Sequence, residues 1–104
     1  MLGYEPFTEK MLIIAGQDFS HWFGVTEDDP FPDGTDLTLK IFERDDGDQL
    51  GAWPASQVLP GGAQIQISAE ELDDIPDASL FRVLVDYPDG QTLCWYRGRV
   101  WRKS

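Results

Sequence analysis

His21 is the single histidine of this 104-residue chain and Cys94 its single cysteine, set among 19 carboxylates. Ser20, His21 and any aspartate supply the residue types of a nucleophile, base and orienter. However, neighbours on a strand point to opposite faces, and no G-x-S-x-G elbow holds a serine for attack. His21 stands between Phe19 and Phe23 and reads as a core or half-buried residue. The lone Cys94 allows no intrachain disulfide and no four-ligand zinc site. It lies in the apolar run Thr92-Leu93-Cys94-Trp95-Tyr96 and reads as a small buried hydrophobe. Pairs of carboxylates for glycoside cleavage can be picked almost anywhere among 19 acids, so that pattern carries no specificity. Two acidic clusters offer oxygens to calcium: Asp45, Asp46 and Asp48 around Gly47, and Glu27, Asp28, Asp29 and Asp33. Neither has the EF-hand spacing; turn chemistry accounts for the first and solvation for the second. No glycine-rich loop could cradle a phosphate. Trp22, Trp53, Trp95 and Trp101 could form a carbohydrate platform, or serve as core and interface anchors. The expectation is a protein that is not an enzyme and takes no cofactor or metal.

Charge says more than any catalytic motif. The net charge is −11, which disfavours nucleic acid as a partner because a phosphate backbone would be repelled. The charge is unevenly spread. Residues 1–81 hold 17 acids and 3 bases, a balance of −14, while residues 82–104 hold 2 acids and 5 bases, a balance of +3. Arg97, Arg99, Arg102 and Lys103 crowd one short segment around Trp101. They read either as a solvated strand paired with acidic neighbours of the same fold, or as a docking strip for an acidic partner.

The elements that must position these side chains are strands. Apolar runs of about 4 to 8 residues recur between Gly, Pro and Asp clusters, the signature of a sandwich or barrel. The expected strands are Met11–Ala15, Phe19–Val25, Asp36–Arg44, Leu50–Trp53, a run carrying Ile65 and Ile67, Leu80–Tyr87, and Gln91 to about Arg102. Alternation places Leu37, Leu39, Ile41, Ile65, Ile67, Phe81, Val83 and Val85 inward, with Thr38, Lys40, Arg82 and Asp86 outward. Pro54 marks a strand end or an edge. Ser68 and Glu71 form a capping box that opens a short helix before Pro76, a crossover between the two sheets. Gly98 predicts a bulge or a close backbone approach in the last strand. The fold class is therefore all-β: an immunoglobulin-like antiparallel sandwich of about seven strands with one short helical crossover. Residues 1–10 read as an N-terminal arm and 11–104 as a single domain. The arm's Leu2, Tyr4 and Phe7 have no place in a completed sandwich and join Arg97, Arg99, Trp101 and Arg102 as candidate partner-binding residues. A hydrophobic content of 41% supports a packed core. The N-terminus lacks a secretory signal and no apolar run is long enough to span a membrane, so synthesis and folding in a cytoplasm are expected.

The order of short motifs adds a resemblance. Met1-Leu2-Gly3-Tyr4-Glu5-Pro6-Phe7-Thr8-Glu9-Lys10 is followed by an apolar strand and Gly16-Gln17-Asp18-Phe19. Asp29-Pro30-Phe31-Pro32-Asp33-Gly34-Thr35, Ala52-Trp53-Pro54, Ile75-Pro76 and Cys94-Trp95-Tyr96-Arg97-Gly98 then appear in turn. Over nearly its whole length the chain resembles the LtfC-like β-sandwich proteins encoded by bacteriophages of mycobacteria and related actinobacteria. The resemblance implies a structural virion protein without catalytic residues, made in the host cytoplasm and assembled into the particle. A minor tail or tail-tip protein is expected, with other virion proteins as partners. The alternatives are a capsid-surface decoration and a carbohydrate-binding module touching a host-surface glycan.

Overall fold

The computed structural model describes residues 6–25, 30–44 and 47–103. Eight strands and one helical turn follow in the order β1 (Phe7–Ile14), β2 (Phe19–Gly24), β3 (Asp36–Phe42), β4 (Gln49–Pro54), β5 (Gln57–Leu59), β6 (Gly62–Ile67), α1 (Ala69–Leu72), β7 (Leu80–Asp86) and β8 (Thr92–Lys103). They form two sheets, one of five strands in the order β1-β8-β7-β3-β4 and one of three in the order β2-β6-β5. The immunoglobulin-like sandwich expected from alternation is the observed fold. β5 is an additional strand: only three residues long, it is too short to show a period.

Burial follows the alternation. Leu37, Leu39 and Ile41 of β3 and Phe81, Val83 and Val85 of β7 face Ile65 and Ile67 of β6, and all eight are buried. Each such apolar side chain contributes about 1.5–3 kcal/mol on leaving water. Met11, Ile13, Phe23, Trp95 and Val100 complete the layer. Pro54 ends β4 at the sheet edge, where its missing N–H removes no ladder bond.

Two local features depart from the sequence reading, and a third decides between its two alternatives for Gly98. First, β1 begins at Phe7, so Phe7–Lys10 of the expected arm are strand residues paired with Tyr96–Arg99; Leu2 and Tyr4 lie outside the described residues. Second, β1 and β8 are parallel, while every other pair is antiparallel. The turn after β1 leads across to the other sheet instead of back along the same one, so no hairpin imposes antiparallel pairing. Third, the bulge in β8 falls at Trp95, because Val83 faces Tyr96 while Leu84 faces Cys94. Gly98 instead marks the close approach. A Cβ there would collide with the Glu9 carbonyl of β1 and stand 3.1 Å from the Phe81 ring.

The crossover from β6 to β7 is bolted to both sides of the sandwich. Ser68 Oγ accepts from Glu71 N at 3.3 Å, and the Glu71 carboxylate accepts from Ser68 N, as the capping box requires. Asp18, in the turn after β1, accepts from Ala69 N at 2.7 Å. Leu72 and Ile75 are buried beneath.

Candidate protein-docking face

The register of the five-stranded sheet assembles its outer surface from residues scattered through the sequence. Lys10 of β1, Arg99 of β8, Leu80 of β7 and Phe42 of β3 lie in one cross-strand row. The next row runs Thr8, Arg97, Arg82, Lys40 and Ala52. Toward the other end Leu12 sits beside Trp101 and Ile14 beside Lys103. Lys10, Lys40, Arg82, Arg97, Arg99 and Lys103, six of the chain's eight basic residues, therefore share one face. Asp36 and Asp86, opposite one another on β3 and β7, close its far end.

Two cations of this face lie over aromatic rings. Lys10 Nζ lies 4.4 Å from the centre of the Trp101 ring, and the Arg82 guanidinium lies 5.1 Å from that of Phe42. Trp101 remains 48% exposed and Leu12 47%. Among the described residues no carboxylate pairs with Arg97, Arg99 or Lys103. Arg97, Arg82 and Lys40 follow one another directly across three strands, an arrangement in which like charges repel.

Arg102 does not belong to this surface, which corrects the sequence reading. It follows Trp101 on a strand whose side chains alternate, so it points inward beside Val100. Its guanidinium donates to the Leu72 and Ile75 carbonyls, the latter at 2.9 Å, and its backbone N–H donates to Asp77 Oδ1 at 2.9 Å. It ties the end of α1 and the segment after it to β8. Arg97, Arg99 and Trp101 are brought together as expected; Lys10 and Arg82 complete them. Phe7 is 57% exposed but stands at the opposite end of β1, its ring tilted against that of Tyr96 at 5.5 Å. There it borders a cleft of about 580 Å³ shared with Phe31, Pro32, Tyr87 and Trp95. The bulge turns both Trp95 and Tyr96 toward Phe23, at 6.0 and 5.5 Å.

The other chemistry-bearing residues are not gathered into a reactive site. His21 is exposed, contrary to the core or half-buried expectation. The sheets part between edge strands β1 and β2, leaving a cleft of about 360 Å³ with His21 at its rim against Phe23. Cys94 is half-buried, and desolvation raises its thiol pKa above the ordinary value, against the lowering effect of Arg82 and Arg97. Among the described residues no group of three or more His, Cys, Asp or Glu side chains is placed to hold a metal ion. Asp45, Asp46, Glu27, Asp28 and Asp29 lie outside the described residues. No described helix is long and apolar enough to cross a membrane. The tryptophans divide: Trp95 is core, Trp53 packs against it, and the exposed Trp22 and Trp101 lie on opposite sheets.

Murine CRIg has a similar fold, with a TM-score of 0.51 at 14% identity over 92% of this chain and 93% of that one. The extracellular domain of the voltage-gated sodium channel β4 subunit, described as a parallel homodimer in cell–cell adhesion, aligns with a TM-score of 0.47. The identity is 7%, over 100% of this chain and 99% of that one. No curated protein matches the chain. The model of the LtfC-like, β-sandwich domain matches residues 5–103, so the chain belongs to the LtfC-like β-sandwich family.

Proposed function

We propose that this protein is a non-enzymatic structural component of a tailed bacteriophage virion, a minor tail or tail-tip protein that works through protein–protein contacts. The observation that carries the reading is the outer face of the five-stranded sheet. On a chain of net charge −11, Arg97, Arg99, Lys10 and Lys103 surround the exposed Trp101 and Leu12. Arginine and tryptophan are favoured anchors where proteins meet, and a basic face steers toward an acidic partner. A capsid-surface decoration would use the same face in the same way. The test is to locate the protein in a density map of the whole particle and to reverse Arg97 and Arg99 to glutamate. Reduced incorporation with unchanged thermal unfolding is expected. Normal incorporation of the double variant removes the docking role.

A second reading, a module that touches a host-surface glycan, is favoured by Trp22 on the other sheet. Its indole lies across Gly24 and Gly62, so that a Cβ at position 62 would stand 2.7 Å from Trp22 Cζ2. Gln64 is its cross-strand partner and donates to Ser20 Oγ at 2.7 Å. A 43% exposed indole beside amide and hydroxyl groups can stack a sugar ring. Titration with host cell-wall polysaccharide, followed by tryptophan fluorescence in the wild type and Trp22→Ala, decides it; no change in the wild type ends this reading.

A further inference from the structure

We propose that the partner of the basic face is a second copy of this chain, which presents the acidic β6–β7 crossover. The inference takes from the proposed function only that this face docks protein. The crossover carries Glu70, Glu71, Asp73, Asp74 and Asp77, all exposed, within eight residues. Glu71 and Asp77 are engaged locally, in the capping box and with the Arg102 N–H, and Glu70, Asp73 and Asp74 are left to face outward. The last turn of α1 contains no basic side chain, so nothing on the helix itself offsets these carboxylates.

The two charged surfaces cannot satisfy each other within one molecule. The crossover is fastened to the inward side of β8 through Arg102, whereas Arg97, Arg99 and Lys103 project from the outward side. Two basic faces also cannot pair with one another across a two-fold axis, because the like charges would be juxtaposed. The complementary contact joins the basic face of one copy to the crossover of another; made reciprocally across a two-fold axis it closes a dimer, and made head to tail it builds rings or filaments. The net charge of −11 on each copy opposes approach at long range. That repulsion is screened beyond about 8 Å at physiological ionic strength, while charges in contact are screened less. Association should accordingly be reversible and should weaken at high salt.

Sedimentation of the purified protein across a concentration series, at physiological and at high salt, tests the proposal. The expected result is a mass that rises with concentration at physiological salt and returns to the monomer at high salt. Arg97→Glu with Arg99→Glu should weaken association by about tenfold or more, the scale of losing charge pairs at an interface. Glu70→Lys with Asp73→Lys and Asp74→Lys should do the same. An equimolar mixture of the two variants should restore association, since the intact surfaces match one another and the reversed surfaces are of opposite sign. A wild-type protein that stays monomeric throughout overturns the proposal, as does a face variant that associates like the wild type. A monomer that binds a fluorescent polyglutamate peptide through Arg97 and Arg99 assigns the face to a foreign acidic protein; preferential binding of a DNA duplex assigns it to nucleic acid. Either result rejects the second copy. Salt reversal of the wild type gives an answer even if a variant fails to fold. Absence of self-association leaves a place on the virion untouched, and absence from the particle leaves self-association untouched.

Discussion

Replacing Arg102 by methionine separates structural from surface cations most directly. Methionine keeps the aliphatic stem beside Val100 and removes the guanidinium that donates to the Leu72 and Ile75 carbonyls. A hydrogen bond from a charged donor contributes about 1.5–3 kcal/mol to stability. Two are lost here, but the site is partly open and water can recover some of the carbonyl interaction, so the expected cost is about 2–4 kcal/mol. For a domain of this size each kcal/mol lowers the melting temperature by about 4–8 °C. Arg102→Met should therefore melt about 10–25 °C below the wild type in a calorimetric or circular-dichroism scan. Arg102→Lys, with a single ammonium in place of the fork, should fall between the two. Arg99→Met, on the open face, should stay within about 0.5 kcal/mol of the wild type. Equal melting temperatures for Arg102→Met and Arg99→Met would refute the inward assignment and return Arg102 to the docking strip.

Gly98→Ala should destabilise the fold by about 1–3 kcal/mol, since the new methyl meets the Glu9 carbonyl and Phe81 and β1 must shift away from β8. Faster amide exchange across β1 would accompany the loss and can be read by hydrogen-exchange mass spectrometry. Asp18→Ala should cost about 1 kcal/mol in urea unfolding, because it removes the acceptor for Ala69 N at the start of α1. Burial raises the Cys94 thiol above its ordinary 9.0, so the folded protein should react with a thiol reagent more slowly than the unfolded chain near neutral pH. The same shift sets a sign for stability. The contribution of Cys94 is fully present below the unfolded value near 9.0 and is lost as pH rises through the folded value. Cys94→Ser should remove that part of the alkaline decline.

Strand identity and facing were legible in the chain because a period of two survives in isolation. Leu39, Val83 and Ile65 alternate with polar neighbours, and the capping box of Ser68 and Glu71 is a local motif. Lys40 and Arg82 were likewise readable as outward-facing. Their meeting with Arg97 in one row was not, because pairing between strands distant in sequence leaves no trace in any one of them. Phe7 stands in sequence before the unbroken apolar run that opens at Met11, separated from it by Thr8, Glu9 and Lys10, although backbone hydrogen bonding to β8 does not require apolar side chains. Arg102 looked like its basic neighbours, since composition does not record which face of a strand a crossover will cover. His21 had an apolar setting in sequence and an open one in space, because two edge strands part there. Local chemistry thus determined the elements and their faces, and the tertiary structure decided which faces adjoin, because adjacency arises from long-range strand pairing and sheet packing, to which side-chain periodicity is blind.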